Sequence, residues 1–172
     1  MGAAIAEFKR SGIAAADVGA IVTAAGVAHG TFFFHFPTKE HVLLELERRE
    51  EERIAKQLAR FAASKRDLQA TMGEAIRLVM GLERRLGAML FKDFLALHFS
   101  QTRPPEDESR YHPVIVEVAR EIERAQTAGQ VDPDVQPFNS AVFFLRGPYA
   151  FLPTTHGWPQ QGAPLGDYPA SP

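Results

Sequence analysis

Apolar residues recur at intervals of three and four along most of the chain, and the few strand-like runs are short and embedded in that repeat, so the pattern predicts helices. Ile5 and Phe8 open a short amphipathic segment that Gly12 closes. Asp17 is placed to cap a second helix through Val18, Ile21, Val22 and Ala25, ending at Gly26, where a left-handed residue suits glycine. A third short helix carries Ala28 to Phe34 and stops at Pro37. Thr38 caps a fourth, with Glu40 in its first turn, where a carboxylate favours the dipole. That helix reaches Phe61 with Leu43, Leu46, Ile54 and Leu58 at helical spacing, and its run "ERREEER" reads as a solvated face with internal ion pairs.

Beyond the turn "ASKRD" the stripe Leu68, Met72, Ile76, Val79 and Met80 predicts one buried helix face. The segment "RRLGAMLFKDFLALHF" is apolar on most sides: Leu86, Leu90, Phe94 and Leu97 form one stripe, Phe91, Leu95 and His98 another. Such a helix is surrounded by others or lines a cavity. After the polar, proline-bearing loop "SQTRPPEDESRYHP" comes an amphipathic helix with Val114, Val118 and Ile122 inward and Gly129 as its stop. A last stripe uses Phe138, Val142, Leu145, Tyr149 and Leu152, and Gly147 with Pro148 is expected to kink or end it. From Pro153 onward, Pro and Gly without periodicity predict a disordered tail over 153–172.

Composition narrows the chemistry. With 172 residues and 45% hydrophobic content, the chain can bury a real core. It has no cysteine, which removes disulfides, thiolate catalysis and thiolate metal sites. No apolar run approaches the length of a membrane-spanning helix, so no membrane association is expected and a cytoplasmic protein is the default. No phosphate loop, nucleophile elbow or metal pair is present, and Asp93 with His98 is too widely spaced for a dyad, so neither enzyme activity nor a cofactor is expected. His29, His35 and His41 recur every six residues, unlike the i, i+4 spacing of two ligands on one helix face, so no metal site is expected there.

By spacing alone, the helix ending at Gly26, the tight turn "AGV" and the short helix after it form a helix-turn-helix. In that motif the second helix enters the major groove of DNA and its first residues face base edges. Ile21, Val27, Phe32 and Phe36 would make the small core that fixes the pair, while of Phe33 and Phe34 at least one must face outward. The net charge of −2 carries no global basic signature, and residues 1–45 hold three lysine and arginine side chains against four carboxylates.

The wording of this region resembles the tetracycline-repressor (TetR) family of bacterial transcriptional regulators. The resemblance rests on Phe8, on Ser11 with Gly12, and on "VGAIVTAAGVAHGTFFFHFPTKEHVL" from Val18 to Leu43, above all its "AGV", "GT" and "HFPTKE". It implies an all-α protein: a helix-turn-helix DNA-binding head over 1–45, and a helical-bundle body over 46–152 that binds a small effector and forms a homodimer through its last two helices. Residue by residue, Ala28, His29, Gly30 and Thr31 match the start of the recognition helix. Phe33 matches a position usually held by tyrosine, whose hydroxyl meets phosphate, and His35 and Lys39 match backbone-contacting positions. Thr31 and His29 can hydrogen-bond base edges or phosphate, Lys39 supplies a point charge, and Phe33 has no hydroxyl to donate.

The implied function is a DNA-binding transcriptional regulator, a repressor released from a double-stranded operator by a small apolar effector. The effector pocket is expected among Phe61, Met72, Ile76, Met80, Met89, Phe94 and His98. Against the family pattern the chain reads as shortened at both ends. Only seven residues precede Phe8, and Gly147, Pro148 and the tail stand where a last helix is expected, so dimerisation is expected to be weak. The alternative is a degenerate TetR-like helical binding module that no longer binds DNA.

Overall fold

The computed structural model describes residues 1–64, 67–98, 100 and 112–155, with the side chains of 98 and 148–155 left aside. Its described elements are α1 (Gly2–Ala15), α2 (Val18–Ala25), α3 (His29–His35), α4 (Lys39–Ala62), α5 (Leu68–Met80), α6 (Leu82–Leu86), α7 (Ala88–His98), α8 (Pro113–Thr127) and α9 (Pro137–Thr155). The protein is all-α, as the periodicity predicts.

α1 stands on α7 and α4, α2 packs on α1, and α3 packs on α2. Phe8 of α1 is wholly buried in the same apolar cluster as Val42 and Leu43 of α4 and Phe91 and Phe94 of α7, so one continuous core runs from the N-terminal helices into the body. Within the body α4, α5, α8 and α9 pack on one another, burying Leu58, Val79, Val118, Ile122, Ala141 and Leu145. The apolar run after Arg85 divides at Gly87 into α6 and α7 and is surrounded, with Leu86, Leu90, Phe91, Phe94 and Leu95 all buried.

Four local expectations change. On α5 the buried positions are Thr71, Ala75, Leu78 and Val79, while Ile76 and Met80 are exposed and Met72 half-buried. Small side chains at Thr71 and Ala75 let neighbouring helices come close, so the bulky stripe lies to one side of the contact. Val27 is exposed in the turn, and Val22 takes the core place beside Ile21 and Phe32. The helix expected to kink or end at Gly147 and Pro148 runs on to Thr155. α9 packs on α8 and α5, with Ala141 and Leu145 buried ahead of the proline. The start of the expected tail, 153–155, is therefore helical as the end of α9, which is 19 residues long. Residues 156–172 of the expected tail lie outside the described part of the chain.

The charge run on α4 is a face with internal ion pairs, and it also covers buried carboxylates. Arg48 and Arg49 pair with Glu45, Arg48 also with Glu52, and Arg53 with Glu50. Glu47 and Glu50 are buried, and Glu50 accepts from Arg85 at 2.8 Å, tying α4 to α6. The Arg48 guanidinium, more than that of Arg49, holds the Glu45 carboxyl down at about 2 against the burial that would raise it.

Candidate nucleic-acid interface

The helix pair begins at Asp17, whose carboxylate accepts from the backbone N–H of Gly19 at 2.7 Å and caps α2. Gly26 ends α2 in the left-handed region (φ 65°), a conformation that costs a side-chain-bearing residue about 1 kcal/mol. Val27 N–H then closes the turn on the Val22 carbonyl at 3.1 Å. The chain leaves at 100° to α2 and enters α3, inside the range of a helix-turn-helix. Ile21, Val22 and Phe32 are buried between the two helices, and Phe36 is half-buried against Phe32 with ring centroids 5.8 Å apart.

That arrangement turns one face of α3 outward. Ala28 precedes the helix as its N-cap, and Ala28, His29, Gly30, Thr31, Phe33 and His35 are all exposed. The rings stack along the surface: His29 lies 6.1 Å from Phe33, and Phe34 meets His35 edge-on at 5.3 Å. Phe34 is 84% exposed, more than Phe33 at 45%, so it is the outward phenylalanine that the residue count requires. A Cβ on Gly30 would meet nothing within 4 Å, so the backbone there is open to close approach by a partner.

Lys39 behaves differently. Its ammonium donates to the backbone carbonyls of Ala14 at 3.0 Å and Ala16 at 3.3 Å, binding the start of α4 to the end of α1. An ammonium has three donors, so one remains for a further acceptor. Two other side chains hold the same corner. Glu7 accepts from Arg10, from Ser11 Oγ at 3.0 Å and from Asp17 N–H at 3.3 Å, and the Arg10 guanidinium keeps its carboxyl below the ordinary carboxylate range. Asp93 of α7 accepts from Ile13 N–H at 2.6 Å, directly behind Gly12, whose φ of 73° breaks α1. Weighed in the sequence only against His98, Asp93 has no signal for this role beyond being a lone acid in a largely apolar helix.

The residues expected to line an effector pocket differ in burial. Phe94 is core, while Ile76 and Met80 lie exposed on the outer side of α5 and Phe61 and Met72 are half-buried. Met89 is 52% exposed and sits beside Gly12, where a Cβ would lie 3.5 Å from its sulfur, at the joint between head and body. The side chain of His98 lies outside the described residues. Among the described residues, no group of three or more His, Asp or Glu could hold a metal ion, and no single helix is long and apolar enough to cross a membrane.

Comparison with known proteins bears on the head and on the fold. Residues 1–46 match the profile of bacterial regulatory proteins of the tetR family. No curated protein sequence matches the chain. Among solved structures, the transcriptional regulator FadR from Bacillus subtilis, in complex with stearoyl-CoA, superposes with a TM-score of 0.64 at 14% identity, covering 91% of this chain and 87% of that one. The fatty acid degradation regulator FadR from Bacillus halodurans gives 0.60 at 15% identity, covering 91% and 87%. A gamma-butyrolactone receptor described as ArpA-like gives 0.51 at 24% identity, covering 87% and 77%. At these identities the likeness establishes the fold. The chain thus carries that fold, and its first 46 residues match the tetR family of bacterial regulatory proteins.

Proposed function

We propose that the chain is a transcriptional regulator, a repressor that grips double-stranded operator DNA with α3 and releases it when a small apolar effector enters the body. The observation that carries this is the outward face of α3, where His29, Gly30, Thr31 and Phe33 are exposed on a helix fixed at 100° to α2. Ala28, His29, Gly30 and Thr31 would meet bases and phosphates at the entry of the helix, and Phe33, His35 and the third donor of Lys39 would meet the backbone. A head over 1–45 on a body over 46–152 is the corresponding division of labour. Two such heads would be joined through α8 and α9, where Phe143 of α9 is 79% exposed and available to a second copy. The effector would act by population shift, favouring one head spacing over another. The fold's likeness to a regulator solved with stearoyl-CoA supports an apolar effector.

A second reading, a helical binding module that no longer binds DNA, is favoured by one observation. The cations of the first 46 residues are engaged within the chain: Arg10 pairs with Glu7, Lys9 donates to the Arg85 carbonyl, and Lys39 holds Ala14 and Ala16. Binding of DNA from upstream of the chain's own gene, measured across a salt series for the wild type, Thr31→Ala and Lys39→Ala, separates the two. The regulator reading expects sequence-selective retention at low salt. Thr31→Ala should weaken it by about 1 kcal/mol or more, and Lys39→Ala should lower the salt slope by about one. Absence of any DNA retention by the wild type leaves the binding-module reading.

A further inference from the structure

We propose that protons set the strength of the DNA grip, because the cations that the α3 face can offer are His29 and His35, which carry charge only when protonated. The inference rests on the DNA-binding reading above and deepens it. DNA affinity depends first on neutralising phosphates, and the fixed charges around α3 supply little for that. Lys9 reaches away to the carbonyl of Arg85 on α6, and Arg10 is neutralised by Glu7 at 2.7 Å. Lys39 remains beside α3, but Glu40 follows it and Asp17 caps the neighbouring helix, so one ammonium stands against two carboxylates.

The surroundings of the two imidazoles leave them open to a proton and a phosphate. Both are exposed, and no side-chain hydrogen bond engages either among the described residues. His29 lies against Phe33, and His35 against Phe34. α3 packs on α2, which contributes no ionisable group between Val18 and Ala25, only its cap Asp17. From α4 the nearby ionisable groups are Lys39, Glu40 and His41. Lys39 is held on the α1 carbonyls, and Glu40 is kept ionised chiefly by the Thr38 hydroxyl. His41 is set apart, its Nδ1 lying 3.0 Å from Thr38 Oγ1. Protonating His29 and His35 would turn the local balance from one net negative to one net positive. Imidazole is the side chain that makes this change near neutral pH.

The sign follows from linkage. A group that meets phosphate when bound holds its proton more tightly in the complex, so DNA binding takes up protons and affinity rises as pH falls. The test is fluorescence anisotropy of the full chain with a labelled mixed-sequence duplex of about 30 base pairs, at about pH 8 and about pH 6, each across a salt series. The wild type is compared with the double variant His29→Gln/His35→Gln and with His112→Gln, a body histidine that pairs with Glu51. The expected result is about tenfold tighter binding at the lower pH, with a salt slope steeper by about one to two. The double variant should lose that pH response and His112→Gln should keep it, with unchanged helical circular dichroism in both. Equal wild-type affinity at the two pH values, or a pH response retained in the double variant, overturns the proton linkage and leaves DNA binding standing. No binding at either pH overturns the linkage together with the DNA-binding reading.

Discussion

At the corner where α1 meets α2, side chains from α1, α4 and α7 converge on one bend of backbone, whereas the outer face of α3 holds its side chains only by their neighbouring rings. Glu7, Lys39 and Asp93 between them satisfy the N–H of Ile13 and Asp17 and the carbonyls of Ala14 and Ala16. His29, Thr31, Phe33 and Phe34 face solvent. The difference shows where position is fixed and where it is left for a partner. Polar groups are spent on fixing this corner, Asp93 tying it to α7, and the helix that would meet DNA is kept open and nearly without fixed charge. A reading surface on a rigid support is the arrangement that a recognition helix requires.

The comparison can be broken first at its core. Phe8→Ala removes a wholly buried ring shared by α1, α4 and α7 and should cost about 3 to 4 kcal/mol, read as a lowered urea midpoint. Because the cluster is continuous, the loss should appear in one transition rather than in a separate melting of the head.

At the corner itself, Gly12→Ala forces a side chain into a left-handed conformation and sets a Cβ 3.3 Å from the Asp93 carboxylate, which together should cost about 2 kcal/mol. Asp93→Ala deletes a 2.6 Å charge-assisted hydrogen bond to Ile13 N–H and should cost about 1.5 kcal/mol. Hydrogen exchange should quicken at Ile13 before it does at α5 or α8. A Gly12→Ala protein as stable as the wild type would show that the bend is not set by this corner.

The smallest effect concerns the ion pairs of α4. Glu45 has its carboxyl lowered to about 2, so its pairing stabilises the fold above the ordinary carboxylate range and that contribution fades as pH falls from about 4.5 towards about 2. Exposure and solvent screening limit it to about 1 kcal/mol. Glu45→Gln should lower stability at neutral pH by that amount and flatten the decline in acid unfolding, without shifting the response above pH 6.

Local signals were legible in the sequence, and long-range ones were not. Asp17 as a cap, Gly26 as a left-handed stop and the outward phenylalanine on α3 follow from residues within one or two turns of each other. The buried face of α5 did not follow, because the small side chains of Thr71 and Ala75 become useful only when another helix approaches. Pro148 reads as a stop when α9 is considered alone, yet the helix runs through it to Thr155 in a fold where α9 packs on α8 and α5. Lys39 matched a position that contacts DNA, yet its bonds run to carbonyls 23 and 25 residues away, and Asp93 reaches across 80 residues. Those partners are set by the tertiary fold, and no periodicity announces them.

The α3 face as the surface that meets DNA is tested most directly by hydrogen exchange of the full chain with and without a duplex from upstream of its own gene. The predicted result is slower exchange, on adding DNA, across residues 28–36 and at the start of α4, with no change on the outer side of α5. Protection that falls on α5 or α9 and spares α3, or no protection anywhere, would contradict it.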